Sequence, residues 1–199
     1  MSRARAHSDR IDRDAYYTPD KLAFALVKEL PIQADALVLE PHAGGGAFVR
    51  ALCSKTMKVQ AMDIDPEAPG LSHPRVCSRV ADFLEYIPER HEIPEWIVGN
   101  PPYREAEAHI RHALGLARNV AFLLRLGFLE SSRRLPFWAE HPPSEVYVLA
   151  QRPSFTKGAT DSTAYGWFVW RDGRAGPTLL HILDWKNSRG GAHGIKNHN

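Results

Sequence analysis

Cysteine is scarce in this 199-residue chain, where Cys53 and Cys77 stand far apart, so a disulfide framework is excluded and a thiolate metal cluster lacks ligands. No apolar run approaches the roughly 18 residues needed to cross a bilayer, and no secretory apolar segment follows Met1. Export and membrane insertion have no support, so a cytoplasmic location is the expectation. An excess of one charge is missing too. Twenty-five Lys and Arg against 23 Asp and Glu leave a net +2, too mild to establish nucleic-acid binding and too basic for an acidic interaction module. The remaining composition, 44% hydrophobic and 24% charged, excludes disordered and collagen-like chains. A chain of this length buries about 70% of its unfolded surface, enough for one core. A single domain over residues 14–186 is expected, with a basic flexible leader (1–13, carrying Arg3, Arg5, Arg10 and Arg13) and a flexible tail (187–199). Both ends suit either phosphate contacts or simple solvation.

Short apolar runs alternate with helical periodicity. Leu22, Ala23, Leu26, Val27 and Leu30 recur at helical spacing between Pro19-Asp20 and Pro31. Residues 36–40 read as a buried strand, followed by a glycine loop and a helix through Phe48, Val49 and Leu52. Strands are expected at 58–63, 79–83, 96–99 and 120–124, with a helix over 105–117 and a mostly helical return through 128–138. This alternation implies a parallel sheet covered on both faces. Residues 145–150 and 163–170 break the rhythm, because no helix fits between them; they are expected to pair antiparallel at one edge. The run 179–185 adds a strand or a partial helix.

The loop Glu40-Pro-His-Ala-Gly44-Gly45-Gly46 lies between strand and helix, where glycines let backbone N–H groups approach a ligand. It lacks the Lys-Ser/Thr pair of a phosphate loop, and Val49 stands where a dinucleotide fingerprint has its third glycine. A cofactor without a pyrophosphate fits better, with Glu40 toward a cationic or amino-acid moiety. Asp63, about twenty residues on at the end of the second strand, is placed for ribose hydroxyls. Asp82-Phe83 suits an adenine amino group with an aromatic wall beside it. An adenosine joined to an amino acid describes S-adenosylmethionine.

Asn100-Pro101-Pro102-Tyr103 follows a buried strand. Two prolines fix two φ angles and remove two donors, so the backbone offers only acceptors. The Asn100 side-chain oxygen and the Pro101 carbonyl can take both protons of an sp² amine, while Tyr103 stacks on the planar group that carries it.

With these motifs in this order, the sequence resembles the class I S-adenosylmethionine-dependent methyltransferases acting on exocyclic or amide nitrogen, most of all small phage- and prophage-type N6-adenine DNA methyltransferases. Tyr17-Thr18-Pro19 resembles their N-terminal cofactor motif, and Glu40-Pro-x-Ala-Gly-x-Gly-x-Phe48 their first motif. Arg152-Pro-Ser-Phe155 and the segment from Asp161 to Trp170 are similar to one that these enzymes carry. The resemblance implies an α/β class I methyltransferase Rossmann-like sheet, its parallel strands joined by one antiparallel edge hairpin. It further implies S-adenosylmethionine held by Tyr17, Thr18, Glu40, Ala43, Gly44, Gly46, Asp63, Ile64, Asp82, Phe83 and Asn100. Asn100, Pro101, Pro102 and Tyr103 are then catalytic, Phe155 and Lys157 touch substrate, no metal is needed, and the partner is DNA or, as an alternative, RNA. Release-factor glutamine methyltransferases share Asn-Pro-Pro-Tyr, since a glutamine amide presents the same planar NH2, and a catalytically silent nucleic-acid-binding protein could keep the fold.

Other signals point away from competing chemistries. His109 and His112 lack a third metal ligand nearby in sequence. Residues 154–163 are rich in Ser and Thr without a nucleophile elbow. Tyr165, Trp167, Phe168 and Trp170 read as edge-strand core, whereas Phe155, a loop aromatic near Lys157, is placed to meet an extruded base or to cover the sheet end.

Overall fold

The computed structural model describes residues 17–155, 162–173, 176–187 and 193–194. Their strands form one sheet: β1 (Leu37–Glu40), β2 (Lys58–Asp63), β3 (Val76–Val80), β4 (Trp96–Gly99), β5 (Asn119–Arg125), β6 (Glu145–Leu149), β7 (Tyr165–Arg171), β8 (Leu179–Leu183) and β9 (His193–Gly194). The spatial order is β3-β2-β1-β4-β5-β7-β6-β8-β9. The first five strands run parallel, and β7 enters antiparallel between β5 and β6. β8 then pairs parallel with β6, and β9 antiparallel with β8, within the stretch read as a tail.

Apolar runs such as Leu-Val-Leu and Trp-Ile-Val form strands because both of their faces are covered. On one face α1 (Asp20–Lys28) and α2 (Ala47–Cys53) bury Leu22, Leu26, Phe48 and Leu52 against Val38, Val98, Leu123 and Trp167. The Phe48 and Trp167 rings stack there at 5.4 Å. On the other face α3 (Ala106–Leu116) sets Ile110 and Ala113 over Leu39, Ile97, Val120 and Phe122.

Two expectations are corrected. The third strand lies at Val76–Val80, not 79–83; it is a largely exposed edge strand, and Phe83 belongs instead to a 3₁₀ turn, Phe83–Glu85, started by Asp82, whose Oδ1 accepts the Leu84 N–H at 2.9 Å. The antiparallel pair forms, but β7 is inserted between β5 and β6, so Tyr165, Trp167, Phe168 and Trp170 are buried in an interior strand and not at an edge, while β8 covers the outer side of β6. The return through 128–138 is mostly helical as expected, built of two 3₁₀ turns, Leu126–Leu129 and Ser132–Arg134, and then α4 (Leu135–Glu140), whose start is set by Pro136 in its first turn. No helix among the described residues is long and apolar enough to cross a membrane.

Candidate cofactor and amine site

In an open parallel sheet, the residues that can meet a ligand are those at the C-terminal strand ends, beside the point where strand order reverses. Here β1 and β4 are the neighbours between which the order turns. Glu40 ends β1, Asp63 ends β2, Asn100 follows β4 and Arg125 ends β5. Tyr165 joins them because β7 runs the other way and starts at this edge, opposite Arg125.

The glycine loop is fastened from several sides. The Ala43 N–H donates to the Met62 carbonyl at 2.8 Å, and Asp63 Oδ2 accepts the Gly44 N–H at 2.8 Å. The other Asp63 oxygen accepts the Asp65 N–H at 2.9 Å. Gly44 and Gly46 have φ of +42° and +79°, a region that side-chain-bearing residues rarely adopt, and the turn into α2 depends on it. Below the loop Glu40 is 1% exposed and accepts the His42 N–H at 2.9 Å. Burial holds its carboxyl well above the ordinary carboxylate range, with the negative charge of Asp63 adding to the effect. Gly99 lies against that carboxylate; a Cβ there would collide with Oε1.

The N-terminal segment comes down onto this loop. The exposed Tyr17 ring lies over Gly44 and Gly45, with ring carbons 3.1 to 3.5 Å from where their Cβ atoms would be. Arg50 ties the arrangement together, bonding Asp20 through Nε and Nη2 and the Gly45 carbonyl through Nη1 at 3.0 Å. Thr18 Oγ1 accepts from Asn100 Nδ2 at 3.3 Å, which joins the N-terminal motif to the amine motif 82 positions away.

Beyond Asn100, the buried Tyr103 hydroxyl lies near the side chains of Asn100 and Tyr165. Burial first, and then the neighbouring Tyr165, push its phenol well above the ordinary tyrosine range. The Tyr103 and Tyr165 rings are 5.7 Å apart, and Phe155 meets Tyr165 edge-on at 5.0 Å. Phe155 is thereby brought to the amine motif, while Lys157 lies outside the described residues.

Two anticipated cofactor contacts are placed differently from each other. Ile64 is 55% exposed beside Asp63. Phe83 is only 3% exposed, because the Asp82-capped turn rolls its ring inward among His42, His109 and His112. It offers no wall to the cleft. Sequence reading also passed over His42, which touches His109 through Nε2 and Nδ1 at 2.8 Å, beside Phe122. Its Nδ1 is shut off from solvent and has no hydrogen-bond partner among the described residues. Burial lowers the pKa of both imidazoles, that of His109 to about 4. Their separation of 67 positions left no local signal.

No protein-family model and no curated protein matches this chain. Solved structures do. It resembles a Listeria monocytogenes protein described as a class I S-adenosylmethionine-dependent methyltransferase, with TM-score 0.66 and 13% identity over 87% of this chain and 67% of that one. The fold is that of the class I methyltransferases. The 23S rRNA methyltransferase ErmE matches with TM-score 0.62 and 23% identity, covering 81% of this chain and 71% of its own. A chain of a type I R-M system matches with TM-score 0.58 and 16% identity over 84% of this chain, which spans only 45% of that longer one.

Proposed function

We propose that the protein transfers methyl from S-adenosylmethionine to the exocyclic N6 amine of adenine in DNA. The observation that carries this reading is the Thr18–Asn100 hydrogen bond, which joins the N-terminal motif to Asn-Pro-Pro-Tyr beside the glycine loop. The cradle fits the cofactor: Gly44 and Gly46 hold the loop in a tight turn under the exposed Tyr17 ring, Ile64 offers an exposed apolar surface, and Asp82 has one oxygen beyond the turn that it caps. Tyr17, Thr18, Glu40, Ala43, Gly44, Gly46, Asp63, Ile64 and Asp82 would hold it. When bound, S-adenosylmethionine supplies an electrophilic methyl group.

The chain's own residues prepare the amine. Asn100, oriented by Thr18, offers Oδ1 to one N–H, and the Pro101 carbonyl accepts the other. Two such acceptors draw the nitrogen out of conjugation with its ring, so its lone pair becomes nucleophilic. Pro101 and Pro102 keep these acceptors fixed, and Tyr103 supplies stacking surface, which offsets the few kcal/mol that extruding a base from a duplex costs.

RNA adenine is the second reading, favoured by the likeness to a 23S rRNA methyltransferase. The test is transfer of labelled methyl to duplex DNA, single-stranded DNA, structured RNA and a glutamine-bearing protein, followed by mass analysis of nucleosides and peptides. N6-methyladenine from DNA is the expected product. Asn100→Ala abolishes transfer while cofactor affinity stays nearly unchanged; Tyr103→Ala weakens transfer strongly and Tyr103→Phe much less. Full activity of Asn100→Ala, or label found only on glutamine, overturns the reading.

A further inference from the structure

Arg125 and Tyr165 are register partners across β5 and β7 at the sheet edge that carries the amine motif. The Arg125 Nε donates to the Tyr165 hydroxyl at 3.4 Å, and its guanidinium carbon stands 4.7 Å from the centre of the Tyr103 ring. A planar, weakly hydrated cation thus lies on the ring that the amine motif provides for stacking. Base and guanidinium compete for the same kind of surface, and a guanidinium is also the side-chain group best shaped for phosphate.

Resting on the nucleic-acid reading above, we propose that Arg125 is the specificity-determining residue of the target pocket, selecting a planar base that arrives with a phosphate. Its guanidinium covers Tyr103 until the base enters. The base then takes that place, and the guanidinium turns to a neighbouring backbone phosphate. The strand fixes the Arg125 backbone, so the exchange needs only rotation of a long side chain. A glutamine side chain presents an amide without a phosphate, and it leaves the displaced cation with nothing to bind.

The test uses a fluorescein-labelled, adenine-containing single-stranded oligonucleotide, with affinity read by anisotropy across a salt series. Arg125→Ala lowers affinity about tenfold and reduces the slope of log affinity against log salt by about 0.7, the share of one neutralised phosphate on a single strand. Arg125→Lys restores the slope but only part of the affinity, because an ammonium keeps the charge and loses the planar stack. Cofactor affinity by calorimetry stays unchanged in both, which certifies their folding; should Arg125→Ala fail that check, Arg125→Gln takes its place. An unchanged slope and affinity in a variant that binds cofactor overturns this inference alone. A wild-type protein that binds neither DNA nor RNA and methylates only glutamine overturns the proposed function, and this inference with it.

Discussion

The stability that the His42–His109 pair under the glycine loop contributes should fall as pH drops through the window between 6.5 and 4, against an opposite and separate contribution from the buried Glu40 carboxyl, whose pKa is raised. His109 is 4% exposed and its pKa is lowered by burial from 6.5 to about 4, against the pull of Asp82 and with a smaller push from His112. The unfolded chain takes up the proton near pH 6.5, while the folded protein resists it down to about pH 4. Between those values the unfolded state binds more protons, so stability is fully present above pH 6.5 and is lost on acidification. At about 1.4 kcal/mol per pH unit, His109 alone accounts for a loss of about 3 kcal/mol, and His42, lowered by the same cause, adds to it. That is a large share of the roughly 5–15 kcal/mol that holds a domain folded. Urea unfolding followed by tryptophan fluorescence at pH 7.5, 6.5, 5.5 and 4.5 measures the loss. The double variant His42→Leu/His109→Leu is the control, since every other titrating group stays in place; its stability should change less steeply over that range. Parallel curves for the two proteins refute the argument. His42 belongs to the glycine loop, so cofactor affinity should weaken in the same window.

How far the sequence disclosed this depended on how local each feature is. β2 and β4 fall at the positions read from the sequence, β4 because Trp-Ile-Val is an apolar run with sharp boundaries and β2 because the buried Val59, Ala61 and Met62 are spaced among polar residues that end at Asp63. β3 was misplaced because Cys77, Ser78, Arg79 and Val80 are all exposed and give no alternation to read. The β6–β7 pair was legible from its short connection. The central position of β7 was not, since nothing local distinguishes an aromatic strand at an edge from one paired on both sides by β5 and β6. In the site, the glycine loop and Asn100 motif announced themselves through residues with restricted or permissive backbones. The His42–His109 contact, the Arg125–Tyr165 register and the close approach of Gly99 to Glu40 arise from tertiary placement. Asp63 lies between these cases: its position was evident, but its bond to the Gly44 N–H, which makes it an anchor of the loop, was not.

Further consequences follow for the loop and its supports. Asp63→Ala removes acceptors from the Gly44 and Asp65 N–H groups, so calorimetry should show cofactor affinity down by about 100-fold and thermal unfolding a loss of about 1–3 kcal/mol. Glu40→Gln relieves the burial of a carboxylate whose pKa is raised, so at pH 7.5 the free protein should melt higher while binding cofactor more weakly; a lower melting temperature refutes the burial argument. Gly99→Ala tests whether the cofactor loop and the amine motif share one contact. The added methyl would meet the Glu40 carboxylate directly, and neither β1 nor β4 can retreat, since they pair with each other and carry helices on both faces. Gly99→Ala should therefore destabilise the wild type by about 1–3 kcal/mol, yet cost far less in a Glu40→Ala background, where the colliding group is gone. A double-mutant cycle by urea unfolding should give a coupling of at least about 1 kcal/mol. Additive losses would mean that Gly99 is needed for its backbone alone and that the carboxylate does not rest on it.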